Sequence, residues 1–319
     1  MTSSWWDEPL KIGKRTLEPS AFLQEAWLTL TDQEIAGALV EAGAKTNASN
    51  VSKKRQALRL RKTREGTPII FEDGGTKRYN KPPILISDNV LVMADVHVPY
   101  HDAEWCSEVV RCAKASGITD CIIAGDLFDF AALSSFAKSI TVEGDDGDVS
   151  EEVEAAADFV SVLLSSFERV VFTLGNHEKR LSRSTGVKVR VSLIRALLGQ
   201  RFEKRLQIEP YYYSIIKSTS GAWRVTHPKN ASVIPVRVAA TLCNKFEMNV
   251  IAAHGHDWGE ATSTSGRYAA ATGCCGDVHK FDYVQLEDNT RPIMQQGAWM
   301  LARGAPVLLH PVYRKPSGG

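Results

Sequence analysis

The chain has few cysteines, no long apolar run and almost no net charge, and each shortage removes a class of protein. Its six cysteines (Cys106, Cys112, Cys121, Cys243, Cys274 and Cys275) form no CxxC pair and no dense framework, which excludes a disulfide-stapled scaffold. Reduced thiols in a cytoplasmic protein are the expectation, with the adjacent Cys274 and Cys275 as packing residues. No stretch approaches the roughly 20 apolar residues of a membrane-spanning helix. The start, MTSSWWDEPLKIGKR, lacks the apolar core of a signal peptide, so no membrane partner is expected. A formal net charge of +1 gives no global pull towards nucleic acid, so any electrostatic argument has to come from local clustering.

What is present is apolar content enough for a full core: 44% of 319 residues are hydrophobic, sufficient for one large domain or two unequal ones. The character changes near residue 65. Before it, TDQEIAGALVEAG starts with a capping-box pattern, Thr31 and Glu34, and carries Ile35, Leu39 and Val40 at helical spacing. NASNVSKKRQALRLRK follows as a second helix with Val51 and Leu58 inward, and an upstream helix around AFLQEAWLTL completes three. Residues 1–65 are thus read as a helical, basic module. Residues 66–88, rich in Gly, Pro and charge, are read as a linker. From 89 to 319, strand, loop and helix alternate, the mark of an α/β domain. NVLVMAD, DCIIAGD, RVVFTLGN and MNVIAAH are its strands, and AEWCSEVVRCAKA, SEEVEAAADFVSVLLSSF and PVRVAATLCNKF its helices. The acidic run EGDDGDVSEE lacks EF-hand spacing and is read as a solvated loop capping the next helix.

In open α/β sheets, functional groups collect beyond the carboxyl ends of strands, and here each strand delivers such groups. The first ends in Asp95-Val96-His97, where alternate residues of extended chain point the same way. The second ends in Gly125-Asp126-Leu127-Phe128-Asp129, with two carboxylates expected one helical turn apart. The third ends in Gly175-Asn176-His177-Glu178, a further strand presents His227, and the last ends in AAHGHDWG. Two frames compete in that final stretch, His254 with His256 or His256 with Trp258. An indole nitrogen has no free lone pair for a metal, so ligand chemistry favours the two imidazoles.

The ordered set DxH, GDxxD, GNHE, a lone His and HxH resembles the calcineurin-like metallophosphoesterase superfamily. Together with DVHVPYHD, GDLFDF and GNHEKR it resembles the bacteriophage-type members, which would place the protein in a host cytoplasm. The resemblance implies a four-layer α/β/β/α sandwich with two mixed sheets, beside the small helical amino-terminal module. It also implies two divalent ions, Mn2+ first, with Fe, Zn2+ or Mg2+ as alternatives. One would be held by Asp95, His97, Asp126 and His256, the other by Asp126, Asn176, His227 and His254. The pair would lie about 3.5 to 4 Å apart, bridged by Asp126, and acidify a bridging water into a hydroxide nucleophile. His177, oriented by Asp129, would protonate or stabilise the leaving oxygen. Protein phosphatases of this superfamily carry Arg-Gly after GDxxD, whereas Asp129 is followed by Phe130-Ala131, which argues against that activity. Arg180, His101 and Trp258 are candidates for substrate contact, each with an ordinary structural alternative. His279 and His310 are read as non-ligands.

Seven basic residues fall between Lys53 and Arg64. The helix pair resembles a helix-turn-helix in which Lys53, Lys54, Arg55, Arg59, Arg61 and Lys62 would meet phosphates; a solvated basic helix is the alternative. The expected function is a dinuclear-metal phosphodiesterase or nuclease acting on nucleic acid, with DNA favoured. A phosphomonoesterase of the same fold and a DNA-binding regulator with a vestigial metal site are the alternatives. Oligomeric state has no sequence signature.

Overall fold

The computed structural model describes residues 5–58, 61–62, 68–69, 79, 81–134, 148–186, 188–199, 204–285 and 293–311. The chain divides into two compact units, Met1–Arg78 and Tyr79–Gly319.

In the first unit a short hairpin, β1 (Leu10–Ile12) and β2 (Arg15–Leu17), precedes three helices, α1 (Pro19–Ala26), α2 (Asp32–Glu41) and α3 (Ala48–Ala57). The capping box at α2 is complete. Thr31 Oγ1 accepts the Glu34 N–H at 3.2 Å, and Glu34 Oε2 accepts the Thr31 N–H at 2.7 Å, satisfying donors that a helix start otherwise leaves open. Asn47 caps α3 through the Asn50 N–H. Leu23, Trp27, Ile35, Leu39 and Val51 form the core of this unit. Val40, expected inward, is 50% exposed, because it lies one position round the helix from buried Leu39. Beyond α3, β3 (Arg61–Lys62) pairs antiparallel with β4 (Pro68–Ile69).

The second unit holds two six-stranded sheets. One runs β16-β15-β6-β7-β8-β9, with β6 (Val90–Met93), β7 (Asp120–Ala124), β8 (Arg169–Thr173) and β9 (Leu206–Glu209) mutually parallel. Its β15 (Ala298–Ala302) and β16 (Ala305–Leu309) are antiparallel. The other runs β13-β14-β12-β11-β10-β5. Its strands are β5 (Ile84–Ile86), β10 (Tyr213–Ser218), β11 (Gly221–Thr226), β12 (Asn249–Ala252), β13 (Trp258–Thr262) and β14 (Tyr268–Thr272). Strand alternation divides the core. Val90 and Val92 of β6 face Ile216, Trp223, Val225 and Ile251 between the sheets, while Leu91 and Met93 face outward. There they meet α4 (Ala103–Ala115), α5 (Val149–Ser166) and α7 (Val191–Leu197) through Trp105, Val109, Val160, Leu163 and Ile194. On the far face α8 (Arg237–Phe246) covers Val250, Ala252 and Ala269 with Ala239 and Cys243. The expected α/β/β/α layering with two mixed sheets is therefore present.

The stretch 66–88, read as linker, carries β4 and β5. Three-residue β5 pairs parallel with β10 at the sheet edge and exposes Ile84 and Ile86, too short and one-sided a strand to leave a periodic signal. Cys274 and Cys275 are buried free thiols, as expected. Asp148 caps α5 through the Ser150 N–H; residues 143–147 of the acidic run lie outside the described residues. No described helix is long and apolar enough to cross a membrane.

Candidate metal centre

Side by side, the parallel strands β6, β7 and β8 bring their carboxyl ends to one edge of the first sheet, and β11 and β12 do the same in the second. The residues after these strands converge. Asp95, His97 and His256 form one group whose ligand atoms all lie within 4.8 Å of one another, and Asp126, His227 and His254 form a second. His97, Asp126 and His177 make a third set that links the two. Asn176 Oδ1 lies 2.9 Å from His227 Nε2. The seven residues expected to hold metal thus lie near one another, with Asp126 grouped with His97 and His177 on one side and with His227 and His254 on the other.

The backbone delivering them is bent against its preference. Asp95, His97, Asp126, His254 and His256 all have positive φ, between 49° and 77°, which costs non-glycine residues about 1 to 3 kcal/mol each. The chain holds the conformation through ladder-like hydrogen bonds, Asp95 N–H to the Gly125 carbonyl at 3.2 Å and His97 N–H to the Asp126 carbonyl at 3.0 Å. Two glycines leave room for the side chains. A Cβ on Gly125, at φ +89°, would strike the His227 ring, and one on Gly175 would strike the Asp126 carboxylate.

Each carboxylate keeps one oxygen occupied and one open. Asp95 Oδ2 accepts the His254 N–H at 3.0 Å and Asp126 Oδ1 accepts the His177 N–H at 2.8 Å. Asp95 Oδ1 and Asp126 Oδ2 are buried without a hydrogen bond, although His256 Nε2 stands 3.2 Å from the former and His227 Nε2 3.3 Å from the latter. His97 Nε2 and His256 Nε2 also face at 3.2 Å. Leaving such buried oxygens unmatched costs about 1 to 3 kcal/mol each, more for a charged group. Imidazole nitrogens and carboxylate oxygens converging in this way fit divalent cations, with no thiolate present to select a softer ion.

Around the ligands a second ring of bonds fixes their orientation. His97 Nδ1 lies 2.9 Å from Asp129 Oδ1, and His227 Nδ1 donates to the Ala124 carbonyl at 3.0 Å; in both rings Nε2 is left for the centre. Asp129, expected to orient His177, holds it chiefly by its main-chain carbonyl, which accepts His177 Nδ1–H at 2.7 Å, while Oδ1 lies 3.2 Å from the same nitrogen and 2.9 Å from His97 Nδ1. Nor do Asp126 and Asp129 sit one helical turn apart. The loop is extended and Phe128 bridges Val98 in parallel, so the intervening Leu127 and Phe128 go to the core.

Burial and neighbouring charges set the protonation states. Burial first, then the charge of His177, lowers the His97 pKa, and burial with the charge of His227 brings His254 down to about 4. Both rings are neutral near pH 7, as ligation requires. His227 goes the other way: burial opposes its charge, but Asp126 and Asp95 prevail and raise it to about 9. Burial also works against charge on His177, where Asp126 and Asp129 together carry the pKa above its ordinary value.

Several supporting residues carried no sequence signal. Glu178 is buried and accepts the N–H groups of Gly175 (2.5 Å), Leu127 (2.9 Å), Asp126 (3.2 Å) and Phe128 (3.3 Å), tying the second and third strand ends together. Glu152, in α5, holds the Phe130 N–H. Arg180, a candidate for substrate contact, donates Nη1 to the Asp129 carbonyl at 2.9 Å and brings Nη2 within 3.1 Å of His177 Nε2, so its first task is to support that histidine. His101 does not join the cluster but packs edge-on against Phe159. Trp258 stacks on His310 at 4.9 Å and 15°, while His254 and His256 each join one of the groups. His279 and His310 belong to none of the three groups. In the first unit, Arg55 is tied to Asp32 by two 2.9 Å bonds and Lys54 lies 5.5 Å over Trp6, while Lys53 is exposed. Arg59 and the side chains of Arg61 and Lys62 lie outside the described residues.

No family model and no curated protein matches the chain. Solved structures do. An archaeal phosphodiesterase is similar over 70% of this chain and 99% of its own, at 10% identity and a TM-score of 0.39. A dimetal phosphatase from Danio rerio covers 69% of this chain and 98% of its own, with 12% identity and a TM-score of 0.35. A Pseudomonas putida nuclease covers 70% and 88%, with 15% identity and a TM-score of 0.28. With likenesses this distant, function has to be read from the side chains themselves.

Proposed function

We propose that the chain is a dinuclear-metal phosphoesterase of the calcineurin-like metallophosphoesterase superfamily, acting on phosphodiesters of nucleic acid. The observation that carries this reading is the gathering of Asp95, His97 and His256, and of Asp126, His227 and His254, about two buried carboxylate oxygens without hydrogen bonds, with His97, Asp126 and His177 joining the two groups. Asp95, His97, Asp126 and His256 would hold one cation, and Asp126, Asn176, His227 and His254 the other. Bound there, the pair would lower the pKa of a water molecule and offset negative charge on phosphoryl oxygens.

The protein's own groups account for the rest. Asp126 and Asp129 keep a proton on His177 to higher pH than usual. Nδ1–H is committed to the Asp129 carbonyl and Nε2 accepts from Arg180 Nη2 at 3.1 Å, so Nε2 would carry a proton to a leaving oxygen only once Arg180 turns from it to the phosphate. Nε2 stands 3.8 Å from Asp126 Oδ2, at the inner edge of the centre. Arg180, fixed on Asp129, holds His177 from the other side and adds positive charge where phosphate would lie. Such an acid would serve the alkoxide leaving group of a monoester and of a diester alike; what favours a nucleic-acid diester is the set of cations Lys179, Arg183 and Lys229 near the centre.

The test is hydrolysis of bis(p-nitrophenyl) phosphate by metal-stripped protein resupplied with Mn2+, run beside p-nitrophenyl phosphate. Turnover of the diester at the higher kcat/KM is expected, and Asp126→Ala should lose at least about 1,000-fold. An Asp126→Ala variant that retains activity contradicts the site assignment; a monoester preference replaces the diesterase reading with the phosphomonoesterase one.

A further inference from the structure

Three cations gather beside the centre without a carboxylate partner. Lys179 and Arg183 are four residues apart on α6 (Glu178–Thr185), hence on one face of that helix. Lys229 follows His227 by two residues on the segment leaving β11. Lys179 Nζ lies 4.0 Å from the centroid of the Tyr212 ring. Tyr212 is itself joined to the ligand residues: its carbonyl accepts the His227 N–H at 2.8 Å and the Thr226 hydroxyl at 3.1 Å. Arg183 and Lys229 are exposed and Lys179 is half-buried. None of the three makes an ion pair among the described residues.

Burial, followed by the charges of Arg183 and Lys229, lowers the Lys179 pKa, while Asp126 acts in the opposite sense. The four charges therefore feel one another. Like charges gathered at the rim of a phosphate-binding centre repel until an anion lies among them.

We propose that Lys179, Arg183 and Lys229, with the Tyr212 ring beneath Lys179, form a subsite for a second anionic group flanking the scissile phosphate. The next phosphate of a polynucleotide strand and the second phosphate of a nucleoside polyphosphate share that chemistry. The inference rests on the phosphodiesterase reading for the identity of the neighbouring group, but binding at the subsite requires no turnover. Lysine suits the task as a point charge on a long stem, able to follow a phosphate through small changes of register.

Fluorescence anisotropy of labelled (dT)12 with full-length, metal-free protein in EDTA tests it, with ADP as competitor. Lys179→Ala, Arg183→Ala and Lys229→Ala should each weaken oligonucleotide binding by about fivefold and flatten the plot of log affinity against log salt by about 0.7. Lys179→Arg should restore most of the binding lost in Lys179→Ala, which separates charge from packing. In the Mn2+ enzyme, losses of kcat/KM on the oligonucleotide should exceed losses on bis(p-nitrophenyl) phosphate by about fivefold or more. Competition by ADP that weakens in the variants assigns the subsite to polyphosphates as well, and no competition confines it to strands. Unchanged affinity and salt slope in folded variants, or no binding of either ligand by the parent protein, overturns the proposal. A parent protein that binds but turns over no diester contradicts the catalytic reading alone.

Discussion

His227 has the clearest pH signature of any residue in the centre. Its Nδ1 donates to a carbonyl and its Nε2 faces Asn176 and Asp126, and its pKa is raised to about 9, so the metal-free protein carries both ring protons at neutral pH. A metal ligand has to give up the Nε2 proton. Divalent-ion affinity should therefore rise about tenfold per pH unit below 9, with a proton released on loading. Mn2+ titration calorimetry in buffers of different ionisation enthalpy reads both quantities, and an affinity flat from pH 6.5 to 8.5 contradicts the account. For stability of the metal-free protein the sign reverses. A folded pKa above the ordinary histidine value contributes stability present below about 6.5 and lost as pH rises through about 9.

The seven residues brought together at the candidate centre were legible as a set because each follows a strand end, where functional groups of α/β proteins collect. What was not legible was the orientation of their neighbours. Asp129 divides itself between His97, through its carboxylate, and His177, through its carbonyl, a division set by a loop path that residue spacing does not encode. Positive φ at five ligands is equally invisible in the letters, since only glycine announces that conformation.

Among elements, α4 covers the very residues AEWCSEVVRCAKA because its apolar positions repeat at helical spacing and bury Trp105, Cys106, Val109 and Ala113. The short helix α6 has no such repeat. Its sequence EKRLSRST is polar, and it is anchored by buried Glu178 gathering four backbone N–H groups. Burial and the repulsion of Asp126 push the Glu178 carboxyl up to about 7, against the pull of the Gly175 N–H. Glu178→Gln would present an amide NH2 to donors that need an acceptor. We expect about 1 to 3 kcal/mol lost from unfolding free energy and weaker Mn2+ binding in the same variant, because the two strand ends it joins carry Asp126 and Asn176. Chemical denaturation and metal titration measure the two effects; a fully stable variant with parental metal affinity would remove Glu178 from its supporting role. Strands β5 and β10 escaped the sequence for a different reason. Each exposes part of one face, and β5 spans only three residues, below the length at which alternation can be recognised.

For the molecule as a whole, the layered arrangement followed from alternating strands and helices, whereas the pairing of twelve strands into two sheets involves contacts between residues far apart in sequence. The amino-terminal unit was legible as three capped helices, but its expected basic face is partly used internally. Arg55 pairs with Asp32 at the half-exposed junction of α2 and α3, an interaction worth about 0 to 1 kcal/mol, and Lys54 covers Trp6. Lys53 remains outward. If this unit contributes to nucleic-acid binding, Lys53→Glu should weaken oligonucleotide affinity several-fold in low salt and leave kcat/KM on the small diester unchanged; equal affinity in the two proteins assigns the unit a role other than nucleic-acid contact.

The central claim is that Asp126 joins two halves of one metal centre. Its most direct measurement is metal content and diester turnover on a single preparation, after stripping, Mn2+ loading and gel filtration. Two Mn2+ per chain with bis(p-nitrophenyl) phosphatase activity, and loss of both occupancy and activity in Asp126→Ala, is the predicted result. Full occupancy or undiminished turnover in that variant would contradict it.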